Sequence, residues 1–349
     1  MSADIGIVGL ASFYGPAYAE CAAREGDVSV TAVVQGEATN DQLARLSRPT
    51  AAAFASDYDC TIYDSVAELL DDASVDAVVV ASRTTRRADD AIRALQSKRP
   101  VLTGKPAAAH ASDARRLAKV ASDANLPTVT TSPARFDDAV QGLSERVERG
   151  EIGNVLRATA SIRHDRVPEA GIEANAEHAP GEAGSAYAMA FYTADALLWL
   201  IESEPKRVYA EYSNRNTPYS SHPDLGVATV QFENGSIGSM TMTYSTDCRD
   251  PLGNWEFEVV GSDGMIRTRQ EGYEGIHWQG ESANRVPMLF KRTQSPVLER
   301  QFTAFVDAVR ENGEFDAVPP SPHHTAKALA LCEAWERSAE RKKPEIFDY

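Results

Sequence analysis

The sequence predicts an α/β fold in two parts: an N-terminal doubly wound parallel sheet, then a second α/β domain with a mainly antiparallel sheet. Three observations point there. Through the first 130 or so residues, short apolar runs alternate with amphipathic stretches, as βα units require. Runs such as Val78-Val79-Val80 are apolar at every position, which suits strands covered on both faces. Beyond about residue 150 the texture changes to strand-like segments separated by turns. A chain of 349 residues accommodates roughly two such domains and needs no disulfide or metal staple.

In order, the expected strands of the first domain are Ile5–Leu10, Val28–Val34, Ala77–Ala81, Pro100–Leu102 and Thr128–Thr131. Helices are expected near Ala17–Arg24, Asp41–Leu46, Ser65–Leu70, Ala88–Ser97 and Ser112–Ala124, with Asn40, Asp64 and Ser112 as cap residues. In the second domain Leu156–Ile162 reads as a strand, then a Pro-, Glu-, Gly- and Ala-rich loop runs to about Gly184, and a helix spans Ser185 to Ile201. Strands follow at Arg207–Ser213, Gly226–Phe232, Ser236–Tyr244, Trp255–Gly261 and Gly264–Thr268, with a hairpin expected at Ser262-Asp263-Gly264. Helices near Glu299–Glu311 and His324–Arg341 close the chain on either side of Pro319-Pro320-Ser321-Pro322. The expected domains are 1–131 and 132–349.

Charge and composition narrow the function. The 51 acidic and 35 basic residues leave a formal charge of −16. A field of that sign repels nucleic acid and anionic membranes, so neither is expected as a partner, whereas a local arginine cluster still captures a small anion. With eight lysines in the chain, the composition suits a halophile's salt-rich cytoplasm, where screening relieves self-repulsion. Cys21, Cys60, Cys248 and Cys332 form no CxxC pair and are expected as reduced thiols. The opening MSADIGIVGL lacks the segments of a signal peptide, and no apolar run approaches the roughly 18 residues of a membrane span. A cytoplasmic protein is expected.

The first expected strand runs into Gly9-Leu10-Ala11-Ser12-Phe13-Tyr14-Gly15-Pro16 and then a helix. A glycine-bearing strand-to-helix turn lets backbone N–H groups approach a pyrophosphate, and the helix N-terminus favours its charge. Gly9, Ala11, Ser12, Phe13 and Tyr14 are therefore candidate cofactor contacts. The strict GxGxxG spacing is broken: Ala11 takes the second glycine position and Gly15 comes one residue late. The second strand ends in Gln35-Gly36-Glu37, where an acid usually meets the ribose hydroxyls. Gln35 is the candidate contact there, Glu37 reads as that acid or as a solvated loop charge, and NAD and NADP both remain open.

From residue 76 onward the order of residues becomes specific. Asp76-Ala77-Val78-Val79-Val80-Ala81-Ser82, then Ala91-Ile92-Arg93-Ala94-Leu95, then Pro100-Val101-Leu102-Thr103-Gly104-Lys105-Pro106 resembles the Gfo/Idh/MocA oxidoreductases, which typically read DAVVIATP, AIxAL and VLCEKP. Arg135-Phe136, Gly150-Glu151-Ile152-Gly153, the stretch from Phe257 to Ile266 and Phe305-Val306-Asp307-Ala308-Val309-Arg310 extend the match across nearly the whole chain. The resemblance implies an N-terminal Rossmann domain and a C-terminal α/β domain with a large open sheet. It also implies a homodimer or homotetramer formed through that sheet, and a closing helix that packs back toward the first domain. Cofactor contacts are implied at Ser82, Arg83, Thr84, Arg87, Gly104, Lys105 and Arg135.

Departures from the family pattern are as informative. The EKP glutamate is Gly104, the TPNxxH loop is Ser82-Arg83-Thr84-Thr85-Arg86-Arg87, and the DxGxHxxD motif aligns with Ala188 to Asp195, placing Tyr192 at the histidine.

Oxidising an alcohol with a nicotinamide requires a base for the hydroxyl proton. Lys105, just past a strand's carboxyl end, and Tyr192 are the candidate proton-transfer pair, with Asp195 sharing the face of Tyr192 and orienting a hydroxyl. Arg163 and His164, ending a strand of the second domain, are candidate contacts for a polyhydroxy substrate, and His178 is an alternative acid/base. Arg83, Arg86 and Arg87 either grip an anion or cap the loop or pair with Asp89 and Asp90, the latter two preferred. No metal is expected at His323-His324, and Ser220, Ser221, His222 and Asp224 read as a loop. The leading expectation is an NAD(P)-dependent oxidoreductase of a sugar or polyol. The alternatives are a nucleotide- or sugar-binding regulator without turnover and an NAD-dependent glycosidase.

Overall fold

The structure, a computed structural model, describes residues 2–165, 189–215, 223–246, 254–269, 274–279, 284–289 and 297–349. Two compact units emerge. One comprises residues 2–132 with Leu298–Ala326, and the other 133–165, the described residues between 189 and 297, and Lys327–Tyr349.

The first unit runs β1 (Ala3–Val8), α1 (Tyr14–Arg24), β2 (Val28–Val34), α2 (Asn40–Arg45), α3 (Ala51–Tyr58), β3 (Thr61–Ile62), α4 (Val66–Asp71), β4 (Ala77–Val80), α5 (Thr84–Gln96), β5 (Val101–Thr103), α6 (Ala111–Ala124) and β6 (Thr128–Thr130). Its six strands are all parallel, in the order β3-β2-β1-β4-β5-β6. The order reverses between β1 and β4, which opens a crevice beyond the strands' carboxyl ends. Val78, Val79 and Val80 have no exposed surface, as a strand with helices on both faces requires. Burial of each such valine contributes about 1.5–3 kcal/mol.

Helices α2, α4 and α6 start one residue away from the expected positions. Thr39, not Asn40, caps α2: its Oγ1 accepts from the Gln42 amide at 3.3 Å while Gln42 Oε1 accepts from the Thr39 amide at 2.9 Å, a reciprocal capping box. Ser65, not Asp64, caps α4, and α6 starts after His110 with no side-chain cap. The helix expected from Ala88 begins at Thr84. The elements α3 and β3 were not expected, because β3 is two residues long and carries no periodicity.

The second unit contains α7 (Asp138–Glu148), β7 (Val155–Asp165), α8 (Phe191–Ile201), β8 (Pro205–Ser213), β9 (Leu225–Phe232), β10 (Ile237–Thr246), β11 (Asn254–Gly261), β12 (Gly264–Arg269), β13 (Glu274–Gln279) and β14 (Asn284–Leu289). After α9 (Val297–Arg310) and α10 (Pro322–Arg341) comes β15 (Glu345–Ile346). Among the described residues its sheet has nine strands, ordered β14-β13-β12-β11-β7-β10-β9-β8-β15, with β7 and β10 parallel and the other pairs antiparallel. The mainly antiparallel sheet is as expected; β13 and β14 are additional strands.

Helices cover one face. Helix α8 lies over Ala158 and Gly238, a laterally paired couple, and a Cβ on Gly238 would stand 2.7 Å from Leu197 Cδ1. Trp335 of α10 stacks on Tyr212 with ring centroids 5.8 Å apart. The opposite face carries charge: Glu258 receives both Arg157 and Arg267, and Arg163 Nη2 reaches Glu256 Oε1 at 2.6 Å. No described helix is long and apolar enough to cross a membrane.

One carboxyl in this unit should be visible in solution. Burial, reinforced by Glu340 and Glu333, pushes the Glu336 carboxyl up to about 7. Because the folded state holds that proton more tightly than the unfolded chain, Glu336 opposes stability progressively as pH rises from about 4.5 toward 7. Glu336→Gln is therefore expected to raise Tm by a few degrees at pH 8 and to change it little at pH 5, measured by calorimetry at both values.

Candidate active site

The turn from β1 to α1 forms around two glycines. Gly9 has φ +97°, and a Cβ there would fall 2.5 Å from the Ala81 carbonyl oxygen. A Cβ on Gly15 would fall 2.2 Å from the Gly9 carbonyl oxygen. The displaced glycine thus performs the close helix–strand packing for which the usual fingerprint reserves its third glycine. The Gly9 amide donates to the Val34 carbonyl at 2.9 Å and the Leu10 amide to the Gln35 carbonyl at 3.1 Å, tying the turn to β2. Ser12 is buried and its Oγ accepts from the Tyr14 amide at 3.2 Å, while Arg48 lies over the Phe13 ring, 5.5 Å from its centroid.

Beside this turn a cleft of about 760 Å³ opens, lined in part by Gly9, Ala11, Glu37, Ser82, Arg83 and Asp90. Gln35 borders it but is committed internally. Its Nε2 donates to the Ala38 carbonyl at 2.9 Å and to Asn40 Oδ1 at 3.1 Å, and its Oε1 accepts from the Ala51 amide at 2.8 Å. The residue expected at the ribose therefore shapes the loop. Glu37 faces Arg86 across 3.7 Å. Of the three arginines, Arg87 donates to the Ser82 and Pro106 carbonyls as a loop cap does, while Asp89 binds Arg116 and Asp90 binds Arg93 at 3.2 Å. Burial pushes the Asp90 carboxyl up, against the pull of Arg86 and Arg93. Tyr63 to Ala67 also line the cleft and escaped the sequence reading because the short strand β3 that delivers them gave no pattern.

At the end of β5 the Gly104 amide donates to the Val80 carbonyl at 2.9 Å, which continues the β4–β5 pairing by one residue. Lys105 follows and is 2% exposed. Thr84 is buried at the start of α5, and Arg87 is buried one turn on. A polar network that the sequence did not reveal supports the strand ends. Thr131 Oγ1 donates to the Thr103 carbonyl at 2.8 Å and pairs with the Tyr18 hydroxyl at 2.8 Å, and Gln301 Nε2 donates to the Thr130 carbonyl at 3.0 Å. These residues fit a dinucleotide: a backbone cradle that any Cβ would fill, a helix N-terminus and an adjoining cleft.

The remaining candidates lie in the second unit. Arg135 and Asp195 are joined to each other: Nη2 reaches Oδ1 at 2.8 Å and Nε reaches Oδ2 at 3.0 Å, with side chains 7% and 2% exposed. The guanidinium also lies over Trp199, 4.5 Å from its ring centroid. Tyr192 is buried in the first turn of α8. Arg163 belongs to the charged sheet face, because alternation along β7 sets it opposite to Ala158, Ala160 and Ile162 under α8. Asp224 accepts from the Arg215 amide at 3.1 Å. The His164 side chain, His178, Ser220, Ser221 and His222 lie outside the described residues.

Comparison with known proteins agrees with this architecture. The model of the Gfo/Idh/MocA oxidoreductase family with an NAD-binding Rossmann fold matches residues 3–131, and that of the Gfo/Idh/MocA C-terminal domain matches 140–267. Myo-inositol 2-dehydrogenase of Thermotoga maritima is 27% identical over 294 residues, 80% of this chain and 82% of its own. Inositol 2-dehydrogenase 3 of Saccharopolyspora erythraea is 24% identical, covering 81% of this chain and 80% of its own. Levoglucosan dehydrogenase in complex with NADH has the same fold, with a TM-score of 0.83 at 18% identity over the whole of both chains.

The Arg135–Asp195 pair predicts a structural phenotype. Asp195→Ala leaves a buried guanidinium without its carboxylate and is expected to lower unfolding stability by about 3–5 kcal/mol in denaturant titrations. A loss below about 1 kcal/mol would show that the pair carries little of the fold.

Proposed function

The chain belongs to the Gfo/Idh/MocA oxidoreductase family, and from that membership we propose that it is an NAD(P)-dependent dehydrogenase of a sugar, polyol or related hydroxy compound. The observation that carries this reading is the Gly9 cradle opening on the cleft at the carboxyl end of the six-stranded parallel sheet. The turn at Gly9–Tyr14 would hold the pyrophosphate, and Ser82 and Arg83, which line the cleft, would flank the dinucleotide. With Gln35 committed to its loop, Glu37 is the acid that meets the ribose hydroxyls, so NAD(H) is favoured over NADP(H). The bound nicotinamide supplies the hydride chemistry. Lys105 carries the proton transfer, since a buried lysine at a strand's carboxyl end is disposed to act as a base. Tyr192 is a second proton-transfer candidate by its place in the motif. The inositol dehydrogenases among the relatives support a polyol substrate.

The absence of a carboxylate at position 104 favours a second reading, a nucleotide-binding protein without turnover. The chain is proposed to work in the cytoplasm as a homodimer or homotetramer. Its subunits would meet through the sheet face that exposes Tyr209, Val227 and Ile237 at 41%, 49% and 49%.

Calorimetric titration of NAD⁺, NADH, NADP⁺ and NADPH in molar KCl tests the cofactor. NAD(H) is expected to bind more tightly; binding of none would remove the oxidoreductase reading, and a preference for NADP(H) would remove the role given to Glu37. A polyol panel followed at the nicotinamide absorbance then tests turnover, and binding without turnover selects the second reading. Lys105→Met is expected to lower kcat by about 10²–10⁴-fold. Light scattering is expected to give at least twice the 37.8 kDa subunit mass, and a monomer would refute the assembly.

A further inference from the structure

Three positions far apart in the chain meet at the end of β5. A Cβ on Gly104 would lie 3.0 Å from Tyr14 Cδ2 and 3.3 Å from Arg87 Cζ, so the bare Cα is what lets the ring and the guanidinium close over it. Arg87 is fully buried, donating from Nε to the Ser82 carbonyl at 3.0 Å and from Nη1 to the Pro106 carbonyl at 2.7 Å. Tyr14 stacks on Tyr18 with ring centroids 6.3 Å apart, and Tyr18 in turn stacks on Phe302 at 5.9 Å. Positions 87 and 104 both depart from the family pattern, and the packing links them: any side chain at 104 would press on Tyr14 and the Arg87 guanidinium, which would have to give by a few tenths of an ångström.

We infer that Arg87 is the positioning residue for Lys105. The lysine sits between two backbone anchors. Ahead of it the Gly104 amide is bonded to the Val80 carbonyl at 2.9 Å, and behind it the Pro106 carbonyl is bonded to Arg87. The second bond of Arg87, to Ser82, ties that anchor to the cleft-lining turn after β4. A planar guanidinium reaches the two carbonyls from two nitrogens held apart in a rigid fork, a geometry that the single nitrogen of an ammonium does not reproduce. Its loss leaves two carbonyls to find other donors and releases the backbone that carries the lysine. This inference rests on Lys105 as the proton-transfer group proposed above.

The test compares Arg87→Lys and Arg87→Ala with the unaltered enzyme. It reads polyol oxidation from neutral to alkaline pH, and NADH affinity by nicotinamide fluorescence. Both variants are expected to lower kcat on the order of tenfold to a hundredfold, as a small misplacement does. The pH limb that Lys105→Met abolishes is expected to move by about half a unit or more, with the NADH Kd within about threefold of its original value. Gly104→Ala, which presses on Arg87 without removing it, is expected to give a smaller change of the same kind and serves if Arg87→Ala fails to fold. Wild-type kcat and pH profile in Arg87→Lys would overturn the inference, because the fork would then be dispensable. NADH affinity lost in proportion to kcat would also overturn it, since Arg87 would then serve the cofactor site. Full activity in Lys105→Met removes the reading of Lys105 and this inference with it, whereas an inactive Lys105→Met beside an unchanged Arg87→Lys removes this inference alone.

Discussion

The close approach of backbone at the first βα turn is the contact on which the site depends. Gly9 stands so near Ala81 and Ser82, and Gly15 so near Gly9, that no side chain fits at either position. Helix α1 can therefore begin directly over β1, and the turns after β1 and β4 lie side by side at the point where the strand order reverses. The crevice and the helix N-terminus beside it both follow from that one approach. Spacing is secondary: the second glycine serves as well six residues after the first, because what matters is which atoms meet.

A chain with 35 basic and 51 acidic residues still buries several of its positive charges. Arg87, Lys105 and Arg135 are each under about a tenth exposed, where an ion must be paired or hydrogen-bonded. Two solutions are visible. Arg135 is neutralised by a bidentate carboxylate and capped by an indole face. Arg87 gives two of its donors to backbone carbonyls, which makes it a tie between two loops. The surface pairs, such as Lys119–Asp123 with both side chains more than half exposed, contribute little beside these.

The sheet of the second unit has two faces of different character. Small residues on one, including Ala158, Ala160 and Gly238, let α8 lie close. Gly226 leaves room for the Tyr212–Trp335 stack, where a Cβ would stand 2.6 Å from Tyr212 Cδ1. The other face sets arginines of β7 and β12 against glutamates of β11, a cross-strand ladder interrupted by isolated apolar side chains.

Much of this was legible in the sequence, because periodicity and motif order are local properties. The parallel strands of the first unit, the antiparallel strands after residue 200, the glycine-bearing turn after β1 and the position of Lys105 all follow from runs of neighbouring residues. Strand β3 was not legible because two residues carry no period, and the starts of α2 and α4 slipped by one because only three-dimensional reach decides which hydroxyl finds the third amide. The assignments that only tertiary structure decided concern partners. Gln35 turned inward to Ala38 and Ala51, Asp195 met Arg135 sixty positions away, Arg163 faced the charged side of its sheet, and Arg87 filled the space left by Gly104. A polar side chain's role depends on which distant atoms its fold brings within about 3 Å, and no pattern along the chain encodes that distance.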